Sequence, residues 1–138
     1  MARAVDPETI ALRLADLPTI VPALQLLMLF GSIVKGRARP RSDVDLAVRC
    51  DGAADLDALY AAVGARLGSD RVDIVDLRRA EPLLAFEIAR TGRLLFEGTS
   101  GTFRAFQSLA ARRYEDAAKF RMSQRRAIHA FLERQGLA

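Results

Sequence analysis

Two aspartates separated by a single residue, Asp43 and Asp45, follow a Gly31-Ser32 pair with ten residues between. On an extended strand, positions two apart face the same way. Both carboxylates would then aim at one side, and Val44 and Leu46 at the other. Like charges held together disfavour each other's ionised form, and a divalent cation between them is the usual relief. Gly31-Ser32 closes the apolar run Leu26-Leu27-Met28-Leu29-Phe30. Glycine lets the backbone turn without a Cβ, and a helical turn opening at Ser32 presents free N–H groups suited to a phosphate. A phosphate seat beside a metal seat points to chemistry on a nucleoside triphosphate. In such sites, metal ions held by shared carboxylates activate the nucleophile and stabilise the departing pyrophosphate. Asp-x-Asp alone is common on exposed strand faces, and a lone Gly-Ser is weaker still, so the signal lies in their conjunction.

Other residues near this pattern are less determined. Lys35, Arg37 and Arg39 are close enough in sequence to neutralise phosphate oxygens, and spacing does not choose among them. Further on, Asp73 and Asp76 are three apart on an expected strand and therefore face opposite ways; each face carries one Asp and apolar residues, so parity does not rank them. His129, the only histidine, lies on a basic helical stretch and reads as solvated or packed rather than catalytic. Tyr60 and Tyr114 read as helix packing, and Cys50 as a small buried or half-buried residue at a strand end.

The elements that must position these groups follow from pattern and punctuation. Asp6-Pro7-Glu8 starts a helix, which Pro18 interrupts, and a short helical piece is expected around residues 19–24. A buried strand over 26–30 is followed, after the Pro40 loop, by a second strand over 43–49, hairpin-like beside it. Asp55 to Leu67 has helical apolar spacing and stops at Gly68; residues 71–77 are a Val- and Ile-rich strand. A helix over 81–90 closes at Gly92, a short strand spans 93–97, and a long helix runs from Phe103 to about Arg134. The expected fold is α/β (α+β): a small mixed β-sheet flanked by helices, mostly on one side, with a long C-terminal helix. Residues 1–102 form the core, and 103–138 are a helix of the same domain. The apolar stripe of that helix is expected to pack in its first half and to meet a partner beyond about Phe120.

Composition sets outer limits. At 138 residues, 51% of them hydrophobic, the chain suits one domain with a real core. A single cysteine excludes an internal disulfide framework or a Cys-rich zinc site and fits the cytosol. The N-terminal stretch lacks a signal-peptide apolar region, and the longest apolar run is too short to span a bilayer. Net charge is +4, concentrated after residue 102, where eight Lys/Arg meet three acids. This reads first as an Arg-rich solvated helix face, so nucleic acid is not the expected partner.

Phe30-Gly31-Ser32, Gly36 and Ser42-Asp43-Val44-Asp45-Leu46 together resemble the DNA polymerase β-like nucleotidyltransferase superfamily and its smallest branch, the minimal nucleotidyltransferases (MNT). Residues 72–77, 92–97 and Tyr114-Glu115-Asp116 are also similar to that branch, so the likeness spans the chain. Many relatives have Arg where this chain has Lys35, which keeps charge but not bidentate geometry. The resemblance implies a polymerase β-like core, with Gly31, Ser32, Lys35 and Ser42 binding nucleotide. It also implies Asp43, Asp45 and a third acid, Asp73 in preference to Asp76, as metal-holding catalytic carboxylates. Mg²⁺, as two ions, and ATP are the implied cofactor and substrate. The implied activity is AMP transfer to a protein hydroxyl by a cytoplasmic antitoxin, the acceptor being a tyrosine of a HEPN-domain RNase toxin. An aminoglycoside-type nucleotidyltransferase is the alternative within the enzyme class, and a non-catalytic antitoxin acting by binding is the alternative outside it. The short chain, which leaves little protein to enclose a small acceptor, favours a protein acceptor.

Overall fold

A computed structural model describes residues 6–37 and 43–137. The chain runs α1 (Pro7–Arg13), α2 (Leu17–Ile20), β1 (Leu24–Phe30), β2 (Val44–Cys50), α3 (Leu56–Leu67), β3 (Val72–Asp76), α4 (Pro82–Thr91), β4 (Arg93–Glu97) and α5 (Thr102–Arg134). Local chemistry sets most boundaries. The Asp6 carboxylate accepts from the Glu8 N–H at 3.4 Å and caps α1, and Asp55 accepts from the Ala58 N–H at 3.1 Å and caps α3. Pro18 falls in the first turn of α2, where its missing N–H costs nothing. The proline expected to interrupt a helix therefore helps to begin one, and the helical piece expected over 19–24 lies earlier. The first strand also starts two residues sooner than expected.

The strands form one sheet in the order β3-β2-β1-β4. β1 is antiparallel to both β2 and β4, while β2 and β3 are parallel with α3 as their crossover. Contrary to the expectation of helices chiefly on one side, both faces are covered. Consecutive residues Leu26–Leu29 of β1 and Leu46–Val48 of β2 are buried, so neither face tolerates water. On one face Leu27, Leu29, Leu46 and Ile74 pack with Ile10, Leu17, Leu59 and Val63 from α1, α2 and α3. On the other, Leu26, Met28 and Ala47 pack with Ala85 and Ile88 of α4 and Phe106 and Ala110 of α5. Among the described residues no polar or charged residue is fully buried, so the side chains of the core meet through apolar contact.

Helix α5 is 33 residues long, about 50 Å at 1.5 Å per residue. Its first half is fastened to the rest. Glu97 Oε1 accepts the Phe103 N–H at 3.1 Å, Gln107 donates to the Ala89 carbonyl at 3.1 Å, and Tyr114 stacks on Phe86 with ring centroids 4.3 Å apart. Beyond Ala118 nearly every residue is exposed, including Phe120 (63%), Ile128 (59%) and Phe131 (53%). Among the described residues no helix is long and apolar enough to cross a membrane.

The turn from α4 into β4 brings backbone close to the core. A Cβ on Gly92 would come within 2.5 Å of the Ile88 carbonyl and 2.9 Å of the Met28 methyl. Gly92→Ala is therefore expected to destabilise the chain by about 1–3 kcal/mol, the usual cost of overpacking. Urea unfolding is the measurement, and a midpoint equal to wild type would show that β1 and α4 yield without cost.

Candidate active site

Strand direction gathers the chemistry at one end of the sheet. β1 finishes at Phe30 where antiparallel β2 begins, and β3, parallel to β2, begins there too. Across the sheet Phe30 is therefore opposite Asp45, and Asp45 is opposite Asp73. Residues directly opposite share a face, so the Asp45 and Asp73 side chains are neighbours on the face covered by α4 and α5. Asp43 sits one residue before β2, exposed, and the adjacent Val44 N–H donates to the Arg71 carbonyl at 3.0 Å, fixing the start of the strand. Asp76 is opposite Val48 on the other face; its Oδ1 accepts the Arg78 N–H at 3.0 Å, closing the turn after β3.

Gly31 through Arg37 form a single helical turn. The Lys35 N–H donates to the Gly31 carbonyl at 3.2 Å. The Arg37 N–H then reaches back to Ser32 at 2.8 Å and the Gly36 N–H to Ile33 at 3.4 Å, with Gly36 left-handed at φ 71°. That pair of bonds is a Schellman ending, which is why a glycine stands at 36. Ile33 is buried and anchors the turn to the core, while Lys35 and Arg37 are exposed on it. Among the described residues, no protein acceptor takes the Ser32, Ile33 or Val34 N–H groups that open the turn. Ser42 and Arg39, which also belong to the sequence pattern, lie outside the described residues.

Gly31 has a second role that spacing did not reveal. Besides its φ of 82°, a Cβ there would overlap Asp45 Oδ2. The missing side chain is the space in which the Asp45 carboxylate lies. Burial, and then the charges of Asp73 and Asp43, push Asp45 above the usual carboxylate range. Among the described residues, Arg71 aside, no basic side chain forms an ion pair with any of these three acids. Nor are three His, Cys, Asp or Glu side chains drawn tightly enough together to close a metal site by themselves. Mg²⁺ is commonly held by one or two carboxylates and completed by substrate phosphates and water. Asp43, Asp45 and Asp73 are the residues placed to contribute.

Tyr60, read from sequence as packing, has a further contact. Its hydroxyl accepts the Ile74 N–H at 2.9 Å, so α3 grips β3 one residue from Asp73. β3 is an edge strand, and a tyrosine one turn into the preceding crossover helix is the only sequence sign of such a clasp. His129 is exposed and pairs with Glu133 at 2.9 Å, far along α5, as a solvated residue would. Cys50 is buried.

Residues 19–100 match the family model described as polymerase beta, nucleotidyltransferase. The protein adenylyltransferase MntA of Aphanizomenon flos-aquae is 29% identical over 132 residues, covering 86% of this chain and 87% of that one. A crystal structure of a toxin–antitoxin complex with AMP-PNP contains a chain that superposes with a TM-score of 0.71 at 28% identity, covering 86% of this chain and 98% of that one. A complex of the tri-AMPylated Shewanella oneidensis HEPN toxin with MNT antitoxin gives a TM-score of 0.67 at 26% identity, covering 88% and 98%.

The raised Asp45 pKa has a definite sign in stability. Between the ordinary carboxylate range and the raised folded value, the native state holds more protons than the unfolded one, so stability falls as pH rises through that window. Without metal, Asp45→Asn is expected to melt a few degrees above wild type at pH 7, and the gap should close as pH falls below the ordinary carboxylate range. Mg²⁺ should raise the melting temperature of wild type and leave Asp45→Asn unmoved. Thermal melts with and without Mg²⁺ check this; a metal-free variant less stable than wild type at pH 7 would contradict it.

Proposed function

The chain belongs to the polymerase β nucleotidyltransferase family, and we propose from that premise that it is a metal-dependent protein adenylyltransferase that moves AMP from ATP to a hydroxyl of a partner protein. The observation that carries this reading is the meeting of the Gly31–Gly36 turn, Asp43, Asp45 and Asp73 at one sheet end. In the reaction, the acceptor oxygen bonds to the α-phosphorus as the bond to the pyrophosphate oxygen breaks. The acceptor's proton passes to Asp73, whose place beside Asp45 supports it over Asp76 as the third acid. The N–H groups of the turn and the Ser32 hydroxyl hold the triphosphate, and Lys35 offsets its charge. Ser42 completes the nucleotide site. Asp43 and Asp45 with Asp73 would hold two Mg²⁺ ions, which would supply charge neutralisation on the phosphate oxygens.

The acceptor is a tyrosine of a HEPN-domain toxin, which makes this chain the antitoxin of the pair. The toxin–antitoxin complexes of the similar structures, one of them with an AMPylated HEPN toxin, support that reading. The distal half of α5, with exposed Phe120, Ile128 and Phe131, is the surface we assign to this partner.

The test combines the chain, its HEPN partner, Mg²⁺ and ATP labelled at the α-phosphate. Label is expected on the partner and should vanish when Asp43→Ala and Asp45→Ala are combined. Silencing of the partner's RNase activity without label would identify a binding antitoxin instead. In the same assay Asp73→Asn is expected to lower kcat by about 10²–10⁴-fold, the span of general-base catalysis, with Asp76→Asn close to wild type. The reverse ranking would move the third carboxylate to Asp76.

A further inference from the structure

Four residues along β2 from Asp45, on the same sheet face, stands Arg49. At about 3.3 Å per residue it is about 13 Å from the catalytic end. Its Nε is buried and has no hydrogen-bond partner. It lines a cavity of about 230 Å³ between the sheet, α4 and α5, walled by Leu77, Ala85, Phe106 and Ala110 together with two further arginines, Arg78 and Arg113. Arg78 spends one Nη on the Cys50 and Gly52 carbonyls, at 3.3 and 3.0 Å. Among the described residues no carboxylate pairs with any of the three. A buried guanidinium donor left without an acceptor is costly, and two more positive charges at the same cavity add to that cost.

We propose that this cavity is a second, non-catalytic site for a phosphate-type oxyanion of about pyrophosphate size. The planar forks of Arg49, Arg78 and Arg113 suit bidentate contact with phosphate oxygens. The volume falls below the roughly 300–1,000 Å³ of pockets that enclose drug-sized ligands, which favours a small polyanion over a whole nucleotide. A bound anion would satisfy Arg49 Nε and tie Arg113 of α5 to β2 and the turn after β3.

Calorimetric titration of the full chain with pyrophosphate, and separately with inorganic phosphate, tests the proposal. EDTA is present throughout so that metal-assisted binding at the carboxylates does not contribute. One anion per chain is expected, with pyrophosphate the tighter. Arg49→Met and the surface variant Arg113→Met should each weaken it at least tenfold, whereas Lys35→Met on the phosphate turn and Arg126→Met on distal α5 should not. Arg49→Met should also melt above wild type in anion-free buffer. Loss of binding in Lys35→Met with retention in both cavity variants would place the anion at the phosphate turn and overturn the proposal. Equal weakening by all four would reduce it to net charge. Absence of saturable binding would also overturn it and leave the cavity to a carboxylate of a protein partner.

Discussion

The Asp45 carboxylate lies against the Cα of Gly31 and beside Asp73. Much of the sheet's arrangement serves to hold it there. An antiparallel β1–β2 pair returns the chain to the phosphate turn, and a parallel β2–β3 pair brings a third acid level with the second. Had β3 run the other way, Asp73 would stand at the far end of the sheet. The apolar cores on both faces keep this concentration of negative charge from relaxing by moving strands apart.

The sequence was most informative where local chemistry settles geometry. The cap at Asp6, the stop at Gly68 and the near-continuous apolar run of β1 each have one physical meaning, and the elements follow them. The Gly-Ser turn was legible for the same reason. What spacing leaves open is register between strands. Asp73 and Asp76 are equivalent until β3 is laid against β2, because parity within a strand does not say which residue of a neighbour stands opposite. The helices over 81–90 and 103–134 follow their expected ranges, but which sheet face they cover is tertiary: Ala47, on the face of Asp45, is buried under α4 and α5. The Asp45–Gly31 contact and the Tyr60 clasp are tertiary, and no pattern within one segment encodes them.

The odd-numbered face of β2 reads Asp45, Ala47, Arg49: negative at one end, small and apolar in the middle, positive at the other. The two charges are too far apart for direct pairing and are separated by packed side chains. The two therefore do not neutralise each other, and one strand carries a negative end and a positive end without their cancelling.

The projecting half of α5 has a kinetic meaning of its own. Starting a helix is the unfavourable step, since several residues must be fixed before the first hydrogen bond forms, whereas extending one is nearly free. The turns docked through Phe103, Gln107 and Tyr114 act as a permanent nucleus, so the segment beyond them stands as ordered helix without a core of its own. A protein that grips this segment meets a rod already formed, and its encounter rate is not limited by waiting for a disordered tail to coil. Removing the docked turns would therefore slow such an encounter, even with every gripping residue intact.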